Sequence, residues 1–388
     1  MRLESAMQQR VLATDAPAFD PADYPGQKAM ILQGAVSKSF AYVGFPDNAS
    51  AENPVPAVVL VHGGGGVAFP EWVRLWNQRG YAAIAFSNTG FRPTGPTDSF
   101  VTDGTWTREP LGDPFWNPGP LNDGMKNSTA PLEEQWMFHA LTLTVAAHNW
   151  LRQNEKVDTQ RIGLVGISWG GVISSLMLGY DTRYAFAVPV YGCGFLEESR
   201  GWMGSLFSPK EVQALWAAGD RLPAVSIPVL WVCWANDPCF SIHSNSHSYT
   251  VTPGSTLSIQ MDMGHSHPCG WMPPEIMRFA DSVVKNGQPL TGLTSESAFV
   301  WKVTLPKDAE AVSVCIRYLT EQMTYSPNGV LHLEDGTSSI DQVWQTKPCC
   351  VENERITVDL PKDAIGYYLE VTTCCAGQEY VVTSAFAE

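Results

Sequence analysis

The chain has 388 residues, which at roughly 150 per domain makes two domains or a little more, each able to bury a core. It carries 24 Lys and Arg against 39 Asp and Glu, a formal net charge of −15. A surface that negative repels phosphate backbones and anionic lipid, so neither nucleic acid nor a membrane is an expected partner. Charged residues are only 16% and hydrophobic ones 44%, which excludes a disordered or long charged-helical chain.

The first 25 residues mix charge with proline and hold no apolar h-region, and no run approaches roughly 18 apolar residues. The expectation is a soluble chain, cytoplasmic rather than secreted. Residues 30–45 alternate in a way that suits a hairpin. Residues 55–61 are an apolar, β-branched run bounded by Pro and Gly, which reads as a buried strand. A helix-sized segment, 71–80, leads to a second buried strand at 81–86. The spacing of Leu132, Trp136, Ala140, Leu143, Ala147, Trp150 and Leu151 predicts a helix over 131–153. Further strands are predicted at 161–166, 185–190, 227–234 and 257–261, then a helix over 274–285. Strands alternating with helices build parallel βαβ units, so residues 1–290 read as a doubly wound, mostly parallel α/β sheet.

Two insertions interrupt that plan. Residues 89–130 are dense in Gly, Pro, Asp and aromatics without clear periodicity, as expected of a lid or pocket wall. Residues 194–225 hold a short helix over 208–219. Beyond 291 the text changes to short alternating runs separated by turn residues, at 298–306, 311–320, 329–334, 354–360, 364–373 and 380–386. Residues 291–388 therefore read as a small all-β sandwich, an accessory domain with nothing catalytic in it.

Chemistry concentrates at the ends of the predicted core strands. Gly166-Ile167-Ser168-Trp169-Gly170-Gly171 follows a buried strand and precedes an apolar helix. In that context G-x-S-x-G is a nucleophile elbow: the turn is so tight that its flanks need glycine, and the serine Oγ is pushed clear of the sheet. His62-Gly63-Gly64-Gly65-Gly66 also follows a strand. Four residues without Cβ allow successive N–H groups to face a substrate oxygen, so Gly64, Gly65 and the N–H of Trp169 are the expected oxyanion hole. A phosphate loop would want Gly-Lys-Ser/Thr, which is absent here.

An activated serine needs a base and a residue to orient it, and in this strand order they follow as acid, then His. Asp237 ends the strand at 227–234, with Glu197 and Glu198 as rival acids after the preceding strand. Met263-Gly264-His265-Ser266-His267 ends the next strand. His265 is expected as the base, with His267 lining the pocket or standing behind. A metal held by His265 and His267 would need more ligands, and Asp262 is the near one, so no metal or other cofactor is expected. Trp106, Trp116, Trp202 and Trp271 fall, with Trp169 and Trp234, on loops or strand ends at this edge. They are expected either as a stacking surface for a flat ligand such as a sugar ring or as core.

Nine cysteines are ordinary for this length. The adjacent pairs Cys349-Cys350 and Cys374-Cys375 lack zinc-ribbon spacing, and free thiols are the expectation. Cys239 and Cys269, each near a triad candidate, are read as packing residues, or else as a disulfide or matched thiol pair bracing the site.

Together the H-G-G-G-G, G-I-S-W-G-G, N-D-P, G-H-S-H and P-E-I-M-R-F-A-D-S stretches resemble the α/β-hydrolase superfamily. More narrowly they resemble its acetylxylan-esterase-like, dienelactone-hydrolase-related branch near the prolyl-oligopeptidase clan. The resemblance covers roughly residues 30–285 and implies a cofactor-free serine esterase, often acting on acylated polysaccharides, with Ser168, Asp237 and His265 as triad. The expected substrate is a small-molecule or carbohydrate ester. One alternative is a serine peptidase of the same clan, which the short stretch of about 50 residues ahead of the first core strand disfavours. The other is a catalytically inactive carbohydrate-binding protein, for which an ordered triad has no use.

Overall fold

The β-branched runs become the centre of one nine-stranded sheet. In this computed structural model the residues described are 3–18, 24–95, 108–112, 125, 127–322, 324–325, 331–332 and 344–388. The sheet strands are β1 (Ala13–Asp15), β2 (Gln27–Gln33), β3 (Lys38–Gly44), β4 (Val55–Val61), β5 (Ala82–Phe86), β6 (Val157–Ile167), β7 (Phe186–Val190), β8 (Leu230–Trp234) and β9 (Thr256–Gln260). Their spatial order is β1-β2-β3-β5-β4-β6-β7-β8-β9. The first three strands and β5 pair antiparallel, and from β5 to β9 all pairs are parallel. The parallel strands β4, β5 and β7 are buried at every residue, as expected for a sheet covered by helices on both faces.

The helix Trp136–Arg152 is buried along nearly its whole length and packs on the sheet centre, so the sequence reading of one apolar face understated it. The insertion at 194–225 also differs from expectation. Its 208–219 helix is shorter, Lys210–Trp216, because Pro209 takes the N-cap, and a separate helix, Trp202–Phe207, precedes it. Much of the 89–130 insertion lies outside the described residues. Its described part includes a two-stranded ribbon that pairs Phe91–Pro93 with Arg108–Pro110.

Among its described residues the C-terminal region forms two four-stranded antiparallel sheets and a short pairing of Thr324–Tyr325 with Leu331–His332, in keeping with its alternating text; most of the expected run at 329–334 lies outside the described residues. Trp301, Val303 and Ile356 from one sheet meet Val314, Ile316, Leu369 and Val371 from the other in a separate small core. The outer face of the second sheet turns the other way. Tyr368, Val382 and Phe386 join the large core of the α/β sheet, together with Trp344. Along that contact Ser258 Oγ donates to the Val381 carbonyl at 2.7 Å, and the Ile259 N–H donates to Thr383 Oγ1 at 3.3 Å. Strand β9, last in the sheet, is thereby lined by residues 381–383.

Candidate active site

The site stands where β4, β6, β8 and β9 end. Ser168 joins β6 to the helix Trp169–Leu178 with φ 58° and ψ −119°, a left-handed conformation unusual for a residue with a side chain. Two glycines make that turn possible. A Cβ on Gly166 would lie 2.0 Å from the Gly170 carbonyl oxygen, and one on Gly170 would lie 1.9 Å from that of Val61. The backbone layers touch, so the serine has nowhere to go but out of the sheet.

His265 Nε2 lies 3.0 Å from Ser168 Oγ, and its Nδ1 lies 2.7 Å from Asp237 Oδ2. Asp237 is 1% exposed, and its Oδ1 accepts the N–H groups of Cys239 (2.8 Å) and Phe240 (3.0 Å). Both carboxylate oxygens are thus held, and Oδ2 fixes the imidazole with its proton on Nδ1 and a lone pair on Nε2. The ring is sandwiched. Tyr191 stacks on one side with centroids 4.4 Å apart, and Phe240 lies nearly parallel at 5.9 Å. Tyr191 also has positive φ (63°), and its hydroxyl donates to the Gly264 carbonyl at 2.6 Å. Burial pushes that phenol far above its ordinary pKa, so it stays a neutral donor.

The glycine loop after β4 presses on the serine: a Cβ on Gly63 would meet Ser168 Cβ at 2.9 Å. The His62 ring Nε2 accepts the Asn88 N–H at 3.0 Å, which leaves Nδ1 to donate to the Gly63 carbonyl at 2.6 Å. Burial lowers the His62 pKa to about 3, so it stays neutral. Arg108 Nη1 donates to the Gly65 carbonyl at 2.8 Å, and the Gly66 N–H bonds back to the Gly63 carbonyl. Among the described residues this leaves the N–H groups of Gly64 and Gly65 as the loop donors not so engaged. The N–H of Trp169 is added to them, an orphan donor at the first position of its helix.

His267 stands elsewhere than a pocket wall. It is 6% exposed, and its Nε2 accepts the Gly63 N–H at 2.7 Å. Desolvation first, then the neighbouring His62, hold it well below the ordinary imidazole range, and a neutral ring is what that acceptor role needs. It supports the glycine loop from behind. Glu198 pairs with His247 at 2.8 Å, away from the serine, and Glu197 approaches neither His265 nor Ser168 with a hydrogen bond. Asp237 is the acid that the fold brings to His265.

Of the tryptophans, Trp169 is buried against Trp136 and Phe207. Trp202 and Trp271 are half-buried, the latter against Phe69 and Trp72. Trp106 and Trp116 lie outside the described residues. All nine cysteines are free thiols, Cys239 and Cys269 included. Among the described residues, the donor atoms of Asp237, Cys239 and His265 come within 4.8 Å of one another; Asp262 is exposed and outside that group.

The family described as BAAT / Acyl-CoA thioester hydrolase C terminal matches residues 145–223, which hold β6, Ser168 and the helix after it. No curated protein matches the chain in sequence. Among solved structures the chain is similar to an acetyl xylan esterase from Paenibacillus sp. R4, at 17% identity and a TM-score of 0.56, over 72% of this chain and 92% of that one. Acetyl xylan esterase 1 from Thermoanaerobacterium sp. JW/SL YS485 aligns at 12% identity and a TM-score of 0.48, over 68% and 87%. Pyrococcus horikoshii acylaminoacyl peptidase aligns at 14% and 0.48, over 67% of this chain and 41% of that one. The likeness is one of fold, and the fold is that of the α/β-hydrolases.

Proposed function

We propose, from this α/β-hydrolase fold, that the chain is a serine-dependent carboxylic ester hydrolase working through an acyl-enzyme, with a carbohydrate-type ester as its substrate class. The observation that carries the reading is the unbroken line of hydrogen bonds from Asp237 through His265 to Ser168 Oγ. Ser168 Oγ attacks the ester carbonyl carbon while its proton moves to His265 Nε2. Asp237 faces the imidazolium that forms. The negative oxygen is received by the N–H groups of Gly64, Gly65 and Trp169. His265 then protonates the departing alcohol, and water repeats the sequence on the acyl-serine. Positioned proton transfer supplies about 10²–10⁴-fold, and each oxyanion donor about 10²–10³-fold.

The carbohydrate part of the reading is supported by what the Paenibacillus structure is named for, an acetyl xylan esterase, and by half-buried Trp202 and Trp271, flat apolar faces of the kind that stack on sugar rings. The family matched over residues 145–223, a stretch that contains Ser168, is described by the name acyl-CoA thioester hydrolase, so acyl-CoA belongs in the substrate panel.

The test is hydrolysis of p-nitrophenyl esters from acetyl to decanoyl, alongside acetylated xylan, acyl-CoA and an acylaminoacyl anilide, with covalent labelling of Ser168 by a fluorophosphonate. Turnover highest with acetyl esters, on xylan included, is the expected result. A steady rise of kcat/KM toward decanoyl overturns the carbohydrate-ester assignment, and no labelling at Ser168 overturns the serine mechanism.

A further inference from the structure

The C-terminal sandwich reaches the two loops that carry the acid and the base. Trp344 is 7% exposed, and its indole Nε1 donates to Asn236 Oδ1 at 2.8 Å. Asn236 immediately precedes Asp237 and is itself buried, and its Nδ2 has no hydrogen-bond partner among the described residues. The Trp344 indole is therefore what fixes that amide. The indole is in turn wedged edge-on between Tyr368, 5.2 Å away, and Phe386, 5.8 Å away. The Tyr368 hydroxyl contacts Met261 Sδ at 3.0 Å, four residues before His265. Trp234, at the end of β8, donates to the Met261 carbonyl at 2.9 Å and so ties the two loops together. The Phe386 N–H donates to Ser246 Oγ, and Glu388 binds Arg200 and His243, which pins the chain end around the same corner.

We infer that Trp344 is a positioning residue for catalysis: it holds the Asn236–Asp237 turn in the register that keeps Asp237 Oδ2 on His265, making the C-terminal sandwich part of the catalytic unit. The inference rests on the Ser168–His265–Asp237 reading above. Its physical basis is that a buried amide relieved of its only partner seeks another, and the peptide it belongs to shares its backbone with Asp237. A displacement of about 1 Å in an orienting group is enough to cost about 10²-fold in rate.

The experiment uses the full chain and p-nitrophenyl acetate. Trp344→Phe keeps the ring between Tyr368 and Phe386 and removes the N–H; Asn236→Ala removes the acceptor and leaves Trp344 in place. Each is expected to lower kcat about tenfold with KM within twofold of wild type, and the double variant is expected to cost no more than either single one. A tryptophan that merely glues the sandwich to the sheet predicts a lower melting temperature with kcat within twofold of wild type, and that result overturns the inference, as do additive losses in the double variant. If Trp344→Phe does not fold, Asn236→Ala alone decides by the same kcat criterion. Wild-type protein that neither turns over esters nor labels at Ser168 marks failure of the underlying reading instead, so the two failures are distinguishable.

Discussion

Tyr191 lies face to face with His265, 28° from parallel, while its hydroxyl holds the carbonyl of Gly264, the residue just before that histidine. One side chain thus fixes both the plane of the imidazole and the backbone that carries it. Tyr191→Phe keeps the stack and loses the bond, and a kcat about fivefold lower is expected from a hydrogen bond of about 1 kcal/mol. Tyr191→Ala removes both, and steady-state kinetics should place it below the Phe variant. Equal kcat in all three proteins would exclude the role.

Ser168→Ala is expected to lower kcat by about 10³-fold or more, leaving what the oxyanion donors and binding supply. His265→Ala should match it, and the double variant should lose little beyond either. Ser168→Gly should melt at or above Ser168→Ala, because glycine occupies φ 58° without the strain a Cβ brings. Thermal melts compare the two directly.

His267→Ala leaves the buried Gly63 N–H without its acceptor, at a cost of about 1–3 kcal/mol. Both stability and kcat should fall, by roughly tenfold or more in kcat, since the loop beside Ser168 loosens. A variant that raises KM alone would instead return His267 to the substrate pocket.

Acid should unfold the protein early. His62, His148 and His267 are buried, and desolvation holds each below the ordinary imidazole value, His62 at about 3. His139 and His243 shift the same way. Unfolded histidines take up protons near pH 6.5 and the folded ones resist doing so, so stability falls as pH drops below about 6.5, and His62 goes on contributing down to about 3. Each such group contributes up to about 1.4 kcal/mol per pH unit. Glu275 and Glu197, whose burial raises their carboxyls, act in the opposite sense, whereas Asp181 and Glu388, held low by their ion partners, act in the same sense as the histidines at still lower pH. Denaturant midpoints between pH 7.5 and 5 measure it, and a flat profile would contradict this balance.

The parts of the site written in short contiguous stretches were legible from sequence: the Ser168 elbow, the glycine loop, and Asp237 and His265 at successive strand ends. Their chemistry depends on local backbone geometry, which local sequence encodes. What escaped depends on distant partners. For His267 the sequence leaves two places open, lining the pocket or standing behind it, because the partner that decides between them, Gly63, is 204 residues away. Trp344 and Asn236 are 108 residues apart, and nothing near either one points to the other. The helix Ile242–Val251 shows no apolar stripe because most of its buried residues are polar: Ser244, Asn245, Ser246 and Ser248 beside Ile242. There Ser248 Oγ satisfies itself on the Ser244 carbonyl at 2.7 Å.

The lining of β9 has a consequence for crowded solutions. A sheet offers bare N–H and C=O groups at its margins, and two copies of a protein can zip together there. At one margin the Ile259 N–H is already taken by Thr383 and the ground beside it is occupied by residues 381–383. At the other, β1 is three residues long and wholly exposed, and Asp15 at its end pairs with Lys28 at 2.6 Å. A strand that short, bearing charge, is a poor template for a neighbour. Among the described residues, then, one margin of the nine-stranded sheet is covered by residues 381–383 and the other is a short, charged strand, an arrangement that disfavours edge-to-edge pairing.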